Sequence, residues 1–208
     1  TDIRSQTDQR WKELKLDFLL EDSGVLLGQS LEGADRIASI VAQLKDFAHL
    51  EGMEQQPMEL KRELEQLLAG MAAKFPPNTT LITDLQPVPT VICRVPLMLQ
   101  AFANILDNAL KSRVDRLELT VRALQDADQV LVSISDNGCG IPTENLPRIF
   151  EPFFTTRPVG GGSGMGLTVA REAIIAAGGS IEIESVAGQG TVSRVRLPVT
   201  ASCGLSSL

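Results

Sequence analysis

The chain has 208 residues, of which 43% are hydrophobic, and it carries a formal net charge of −7. This length suits one ordinary domain with an added element, and the composition lets that domain bury a sizeable core. No cluster of lysines and arginines interrupts the acidic balance, so we expect no nucleic-acid partner, and no apolar run approaches the ~20 residues of a membrane-spanning helix.

Cysteine usage and the first residue bear on where the protein acts. The three cysteines are widely spaced and form no metal-site pairs, and the first residues show no signal-peptide pattern. These features indicate a reduced, cytoplasmic compartment. Because the chain opens on Thr1 and not on methionine, we expect it to be part of a longer protein, whose membrane anchor, if it has one, would lie outside these residues.

The first predicted element is a long helix at about 23–50, after a charged stretch of weak periodicity. Its apolar residues recur at helical steps, at Leu27, Leu31, Ala34, Ala38, Val41, Leu44 and Ala48. This stripe is too wide for one helix to bury on so little chain. We therefore assign 1–51 to a bundle-forming region, which pairs with a helix missing from this chain or with a second copy in a homodimer. A helix lying on its own domain is the alternative.

Glycine and proline at 52–57 predict a domain boundary. The segment 52–199 then forms one domain, and 200–208 is predicted to be a disordered tail. The predicted elements of the domain are a short strand at 58–60, a helix at 61–74, strands at 79–85 and 90–93, a helix at 95–112, strands at 117–124 and 130–135, a helix at 167–177, and strands at 180–185 and 190–199.

The predicted helix at 95–112 has a polar side opposite its apolar side. Steps of four and three place Asn104, Asn108 and Lys111 on that side. An amide oxygen of Asn108 suits Mg²⁺, which prefers hard oxygen ligands, and the Lys111 ammonium suits phosphate. An ordinary solvated helix face is the alternative.

The stretch Asp136–Pro142, Asp-Asn-Gly-Cys-Gly-Ile-Pro, directly follows an alternating strand. A carboxylate at the end of a buried strand is costly to desolvate unless hydrogen-bond donors face it. Gly138 and Gly140 let a flat ligand approach the backbone closely. The stretch predicts a slot in which Asp136 accepts a hydrogen bond from an amino group such as that of adenine. A simple β-turn is the alternative.

Two later stretches add a loop that suits phosphates. A phenylalanine-rich segment runs from Ile149 to Arg157, and Arg157 lies within reach of a terminal phosphate at the start of a loop. The glycine-rich run Val159–Leu167 opens into a helix, and bare amides at a helix N-terminus bind phosphate. The run lacks the Lys-Ser/Thr of a P-loop and the preceding strand of a dinucleotide site. A flexible linker is the alternative.

Taken together, these blocks resemble the ATP-binding domain of sensor histidine kinases, within the GHKL ATPase superfamily. Asn104–Lys111 looks like the N box, Asp136–Pro142 like the first glycine box, and Phe150–Phe154 like the F box. Gly162–Gly166 resembles the second glycine box, and Gly188–Thr191 resembles the closing glycine motif. Each block alone is weak, whereas all of them in this order and at this spacing are specific.

The resemblance covers about 52–199 and implies an α/β (α+β) fold of GHKL or Bergerat type, a two-layer sandwich preceded by a long bundle-forming helix. It implies that Asp136 holds the adenine amino group and Thr191 supports the base through water. Asn108 would ligate Mg²⁺, while Asn104 and Lys111 would contact the phosphates of ATP. The nucleotide-binding residues implied in this way are Asn104, Asn108, Lys111, Asp136, Gly138, Gly140, Ile141, Phe150, Arg157, Gly162, Ser163, Gly164, Met165, Gly166, Leu167 and Thr191.

The implied activity is transfer of the γ-phosphate of ATP to a histidine, followed by relay to the receiver domain of a response regulator. The family's acceptor lies on the first helix of a hairpin, whereas the one histidine here, His49, falls at the end of the helix that resembles the second. We therefore expect the acceptor to lie outside this chain. The alternatives are a clamp-type GHKL ATPase and a nucleotide-dependent dimerisation module without transfer.

Overall fold

The computed structural model describes residues 22–28, 30, 31, 33, 34, 38, 54–112, 115–157 and 162–199. In the first part of the predicted helix at 23–50, the described residues are helical. The remainder of that helix, the charged stretch before it and the predicted tail at 200–208 lie outside the described residues. Within the described part of the chain, no helix has both the length and the apolar character needed to cross a bilayer.

The domain contains three helices and seven strands among its described residues. In chain order they are β1 (Gln56–Met58), α1 (Leu60–Met71), β2 (Thr80–Leu85), β3 (Val91–Cys93), α2 (Val95–Leu110), β4 (Glu118–Asp126), β5 (Gln129–Asp136), α3 (Gly166–Ala176), β6 (Ser180–Val186) and β7 (Gly190–Pro198). Two short 3₁₀ turns lie at Ala72–Lys74 and Leu146–Arg148.

The predicted strand at 58–60 is wrong in position. The strand β1 lies two residues earlier, partly inside the predicted break at 52–57, and Pro57 in it lies opposite Ile92 of β3. Proline is tolerated there because this small sheet has only two strands and both are edges. Leu60 instead opens α1, where Leu60, Leu64 and Leu68 are buried at helical spacing.

A mixed five-stranded sheet forms one layer of the domain, in the order β2-β4-β5-β7-β6. The strand β2 runs parallel to β4, and the other neighbours are antiparallel. Side chains alternate along the inner strands, so that one face is buried and apolar, as with Val121 of β4, Val132 of β5 and Val195 of β7. The opposite face is polar, and Arg194 pairs there with Glu184 at 2.7 Å.

The helices α2 and α3 form the second layer over the apolar face, and α1 packs against α2. The core of α2 includes Phe102 and Leu106, both 0% exposed. At its C-terminus α3 ends on Gly178, whose φ is +75° and whose N–H donates to Ile175 O at 2.8 Å. This is the glycine cap that the sequence predicts, and the layering agrees with the predicted two-layer α/β sandwich.

The register of the sheet brings distant parts of the chain to one edge of the layer boundary. Asp136, the last residue of β5, lies opposite Leu119 of β4 on one side and Thr191 of β7 on the other. Thr191 in turn lies opposite Ser185 of β6. The ends of three strands therefore meet beneath the C-terminal half of α2.

Candidate nucleotide-binding site

A cavity of about 440 Å³ opens between α2, the N-terminus of α3 and the ends of β5 and β7. This volume is within the range of small-molecule sites. Asp136 and Thr191 line one end, and Asn108, Lys111 and Arg157 line the other. The cavity is thus polar at two ends, with apolar side chains between them.

Asp136 presents its carboxylate to the first end. Its Oδ1 atom accepts a hydrogen bond from the Gly138 N–H at 2.8 Å, and the Thr191 N–H also donates to the carboxylate. Burial raises the pKa of Asp136 above its usual value, and the two N–H donors offset part of that rise. The carboxylate is therefore fixed in direction and keeps acceptor capacity toward the cavity.

The floor of this end is held by one serine. The Ser185 hydroxyl accepts from the Ile141 N–H at 2.8 Å, donates to Gly190 O at 2.8 Å and lies 2.9 Å from Thr191 Oγ1. These bonds tie the turn after β5 to the hairpin between β6 and β7. Thr191 and Ile141 are thereby fixed where they line the cavity.

Two glycines in the turn after Asp136 are required by space, and Gly140 is required by its conformation as well. Gly140 has a φ of +65°, and a Cβ there would lie 2.1 Å from Val186 O. A Cβ on Gly138 would lie 2.1 Å from Ser112 Cβ and 2.6 Å from Asp136 Oδ1. Neither position accepts a side chain without a shift of its neighbours.

On α2, Asn104 joins the helix to the start of α3. Its Nδ2 atom donates to Gly166 O at 3.0 Å, and its Oδ1 atom accepts from Gln100 Nε2 at 3.0 Å. Both ends of this amide therefore have protein partners. The sequence predicts a phosphate contact for Asn104, and the structure adds that it holds the two helices together beside the cavity.

Asn108 and Arg157 meet at the far end of the cavity. Arg157 Nη2 donates to Asn108 Oδ1 at 3.2 Å, and a Cβ on Gly162 would lie 3.7 Å from Arg157 Nη1. Lys111 forms an ion pair with Asp107, four residues earlier on the same helix. Both cations line the cavity, beside the helix that the sequence predicts to contact phosphates.

The N-terminus of α3 completes this end. Gly166 and Leu167 line the cavity at the first turn of the helix, and Met165 N–H donates to Ser163 Oγ at 3.3 Å. Gly164 has a φ of +70°, and a Cβ there would lie 2.5 Å from Phe153 C. The positive end of the helix dipole thus points into the same space as Arg157 and Lys111.

Most of the predicted site residues line this one cavity. They are Asn104, Asn108, Lys111, Asp136, Gly140, Ile141, Arg157, Gly162, Ser163, Gly164, Gly166, Leu167 and Thr191. Three predicted residues lie behind its wall. Gly138 lies under Ser112, Met165 is only 8% exposed, and the Phe150 ring lies under the Arg171 guanidinium at 5.3 Å. The stretch 158–161 lies outside the described residues.

Sequence reasoning missed several residues that line the cavity. They include Ser112, Cys139, Asn145, Phe154, Ile183 and Ser193. Alternation along β6 and β7 gave a usable signal for Ile183 and Ser193, because it places them on the covered face of the sheet. Nothing in the local sequence pattern marks Ser112, which follows Lys111 by one residue.

The described residues contain no group of three or more His, Cys, Asp or Glu side chains placed to hold a metal ion. The residues at the phosphate end fit a different kind of metal site. Mg²⁺ is commonly held by one or two protein oxygens together with water and substrate phosphates. Asn108 Oδ1 is one such oxygen, and it already accepts a bond from the cationic Arg157.

The sequence of residues 94–201 matches the family described as histidine kinase-, DNA gyrase B-, and HSP90-like ATPase. The matched segment contains α2, α3, the strands from β4 to β7 and every predicted site residue. The chain belongs to this family. Members are ATPases by description, so the cavity between α2 and α3 is the place to look for nucleotide binding.

Two curated relatives are kinases by name. The chain is 34% identical over 170 residues to sporulation kinase E of Bacillus subtilis, covering 79% of this chain and 22% of that protein. It is 31% identical over 175 residues to the signal transduction histidine-protein kinase AtoS of Escherichia coli, covering 81% of this chain and 28% of that protein. The chain therefore spans about a quarter of the length of these relatives.

Solved structures confirm the predicted fold. The mycobacterial sensor histidine kinase MprB superposes with a TM-score of 0.62 at 26% identity, covering 69% of this chain and 97% of that one. Full-length ShkA, solved in complex with AMPPNP, superposes with a TM-score of 0.67 at 24% identity over 80% of this chain and 36% of that one. The two-layer GHKL architecture predicted from the motifs is therefore correct.

Proposed function

We propose that this chain binds ATP with Mg²⁺ and transfers the γ-phosphoryl group to a histidine, from which it is relayed to a response regulator. The observation that supports the proposal is that one cavity has two chemically different ends. A half-buried carboxylate beside the N–H groups of Gly138 and Thr191 lies at one end, and two cations and a helix N-terminus lie at the other. An adenine nucleotide has the complementary amino group and phosphates.

At the first end, Asp136 accepts a hydrogen bond from the adenine amino group. Thr191 supports the base through water, held in place by Ser185. Gly140 and Ile141 form the edge of the slot. Guanine carries a carbonyl where adenine carries the amino group, so it would place an acceptor against the Asp136 carboxylate and bind poorly.

At the second end, Lys111, Arg157 and the first turn of α3 hold the phosphates. Asn108 Oδ1 would hold Mg²⁺, which supplies neutralisation of phosphate charge when bound. In the nucleotide-free geometry this oxygen accepts from Arg157 at 3.2 Å. Arg157 would contact the terminal phosphate when its guanidinium is not bonded to Asn108.

Phosphoryl transfer requires mainly positioning and charge neutralisation from the protein. Asn104 holds α3 against α2 through Gly166 O, which fixes the phosphate-binding turn relative to Asn108 and Lys111. The acceptor histidine lies on a helix outside this chain, since His49 follows a stretch that resembles the second hairpin helix. His49 itself lies outside the described residues.

The partners follow from this activity. In the part of the N-terminal helix that the structure describes, Val25, Leu26, Leu27 and Leu31 are 53–66% exposed. Such an apolar surface supports a bundle or a homodimer through this helix. A receiver domain of a response regulator takes the phosphoryl group in the cytoplasm, where ATP and reduced cysteines both occur.

The test separates transfer from hydrolysis. The parent protein and this chain are incubated with Mg²⁺ and ATP labelled on the γ-phosphate. We expect alkali-stable, acid-labile label on the parent, and only slow ATP turnover by the chain alone. Fast turnover by the chain without label on the parent would favour a clamp-type ATPase. Nucleotide binding without either would favour a dimerisation module.

A further inference from the structure

The hydroxyl of Ser112 is the clearest unexplained polar group in the molecule. Ser112 is 9% exposed. Across the described ranges, its Oγ is the only buried side-chain nitrogen or oxygen without a hydrogen-bond partner. Buried polar groups are nearly always paired, and an unpaired one calls for an explanation.

The main chain holds Ser112 firmly in place. Its N–H donates to Ala109 O at 3.2 Å, and its carbonyl accepts from the Cys139 N–H at 3.0 Å. The residue is thus tied to the end of α2 on one side and to the turn after Asp136 on the other. These two bonds fix the main chain of Ser112, so the Cα–Cβ bond keeps its direction between α2 and the turn.

The Ser112 hydroxyl and the Asp136 carboxylate face the same space. Both residues line the cavity. The point that a Cβ on Gly138 would occupy lies 2.3 Å from Ser112 Oγ and 2.6 Å from Asp136 Oδ1. The Ser112 hydroxyl and the Asp136 carboxylate therefore lie close to each other beside Gly138, and a Cβ on that glycine would force one of them to shift.

This pair matches one edge of adenine. A carboxylate only accepts, whereas a hydroxyl can donate. In adenine, the amino group lies between two ring nitrogens, N1 and N7, that accept hydrogen bonds. In guanine, the corresponding carbonyl accepts and N1 carries a proton, so the pattern is reversed at those positions.

We propose that Ser112 is a specificity-determining residue of the nucleotide site, and that its hydroxyl donates a hydrogen bond to the N1 or N7 of the base whose amino group Asp136 accepts. This inference rests on the proposed binding of an adenine nucleotide. It makes Ser112 a second residue that contacts the base, two residues after the end of α2 rather than on the sheet. In this proposal the hydroxyl has no protein partner because its hydrogen bond is made to the ligand.

Ser185 provides the contrast. Its hydroxyl lies in the same region but already bonds to Ile141 N, Gly190 O and Thr191 Oγ1. Replacing it should cost folding stability. Replacing Ser112 should not, because no protein hydrogen bond is lost.

The experiment measures thermal stability and ADP affinity for the wild type, Ser112→Ala and Ser185→Ala. We expect Ser112→Ala to keep or raise the nucleotide-free Tm and to raise the Kd for ADP about fivefold. Ser185→Ala should lower the Tm. A lower Tm for Ser112→Ala with unchanged ADP affinity would overturn the inference, because it would make the hydroxyl a structural group.

Two base analogues test the same contact on the unaltered protein. 1-Deaza-ADP and 7-deaza-ADP each lack one acceptor nitrogen. The wild type should bind one of them about fivefold more weakly than ADP, and Ser112→Ala should bind that analogue no worse than the wild type does. Wild-type binding of both analogues as tightly as ADP would overturn the inference alone. A folded wild type that does not bind ADP would overturn the proposed function as well.

Discussion

The carboxylate of Asp136 lies half-buried at the end of β5, where desolvation raises its pKa and the N–H groups of Gly138 and Thr191 offset part of the rise. A raised pKa means that folding disfavours the ionised form. The contribution of Asp136 to stability is therefore largest in acid and is lost as the pH rises through its raised pKa. At neutral pH the empty site bears this cost, and a ligand amino group would relieve it.

Asp136→Asn should therefore leave the nucleotide-free protein at least as stable as the wild type at neutral pH. The side chain keeps an oxygen for the Gly138 N–H but no longer carries a buried charge. The advantage of the variant should narrow as the pH falls through the raised pKa of Asp136, because the wild-type carboxyl then also becomes neutral. Urea denaturation at several pH values measures this.

Asp128→Asn is the matched control, because Asp128 is an exposed carboxylate in the turn between β4 and β5. Its stability should follow the wild type at every pH. An Asp136→Asn variant that is clearly less stable than the wild type at neutral pH would show that the N–H donors outweigh desolvation.

Asn108→Ala should separate magnesium-dependent chemistry from nucleotide binding. The variant loses an amide oxygen that lines the phosphate end of the cavity, but no contact at the Asp136 end. We expect ADP affinity without Mg²⁺ to change little, and phosphoryl transfer in the parent protein to fall about tenfold or more. Gln125→Ala is the control. It removes an exposed amide at the end of β4 that lies away from Asp136, and it should change neither quantity. Equal losses in binding and transfer would count against a magnesium role.

At the scale of elements, the turns that join the strands decide the shape of the site. Gly140 and Gly188 both have positive φ, at +65° and +79°. A Cβ on Gly140 would lie 2.1 Å from Val186 O, whereas a Cβ on Gly188 would have nothing within 4 Å. The pair therefore separates the conformational cost of a side chain from its steric cost.

Gly188→Ala should lower the free energy of unfolding by about 1–2 kcal/mol, since only the left-handed conformation is penalised. Gly140→Ala should cost about 1–3 kcal/mol more, because the β6–β7 hairpin must move away from the new methyl group. Chemical denaturation of both variants checks this. Equal costs would mean that the hairpin yields freely and does not shape the slot.

The bounds of the helices are predicted from the sequence more accurately than those of the short strands. Long apolar stripes predict α1, α2 and α3 to within a few residues, because each must bury one face. The strand β1 was misplaced because three residues carry no periodicity, and its position depends on pairing with β3. Among site residues, Asp136 and Asn108 could be found from local pattern. Ser112 could not, because its role depends on the turn from Gly138 to Gly140 folding back against the end of α2.

At the scale of the whole molecule, the account depends on two layers that meet at one cavity. The sheet brings Asp136 and Thr191 together through its register, and α2, the first turn of α3 and Arg157 line the end at which we propose that phosphates bind. Neither layer makes the site alone. A nucleotide that touches both should therefore stabilise the domain as a unit, in proportion to its concentration over its Kd.

The most direct test of this account is calorimetric titration of ADP with Mg²⁺ into the wild type and Asp136→Asn, with GDP as the control ligand. We expect saturable binding of ADP to the wild type, loss of that binding in Asp136→Asn, and no binding of GDP. Undiminished binding of ADP by the variant, or equal binding of ADP and GDP by the wild type, would contradict the central claim that Asp136 reads the adenine amino group.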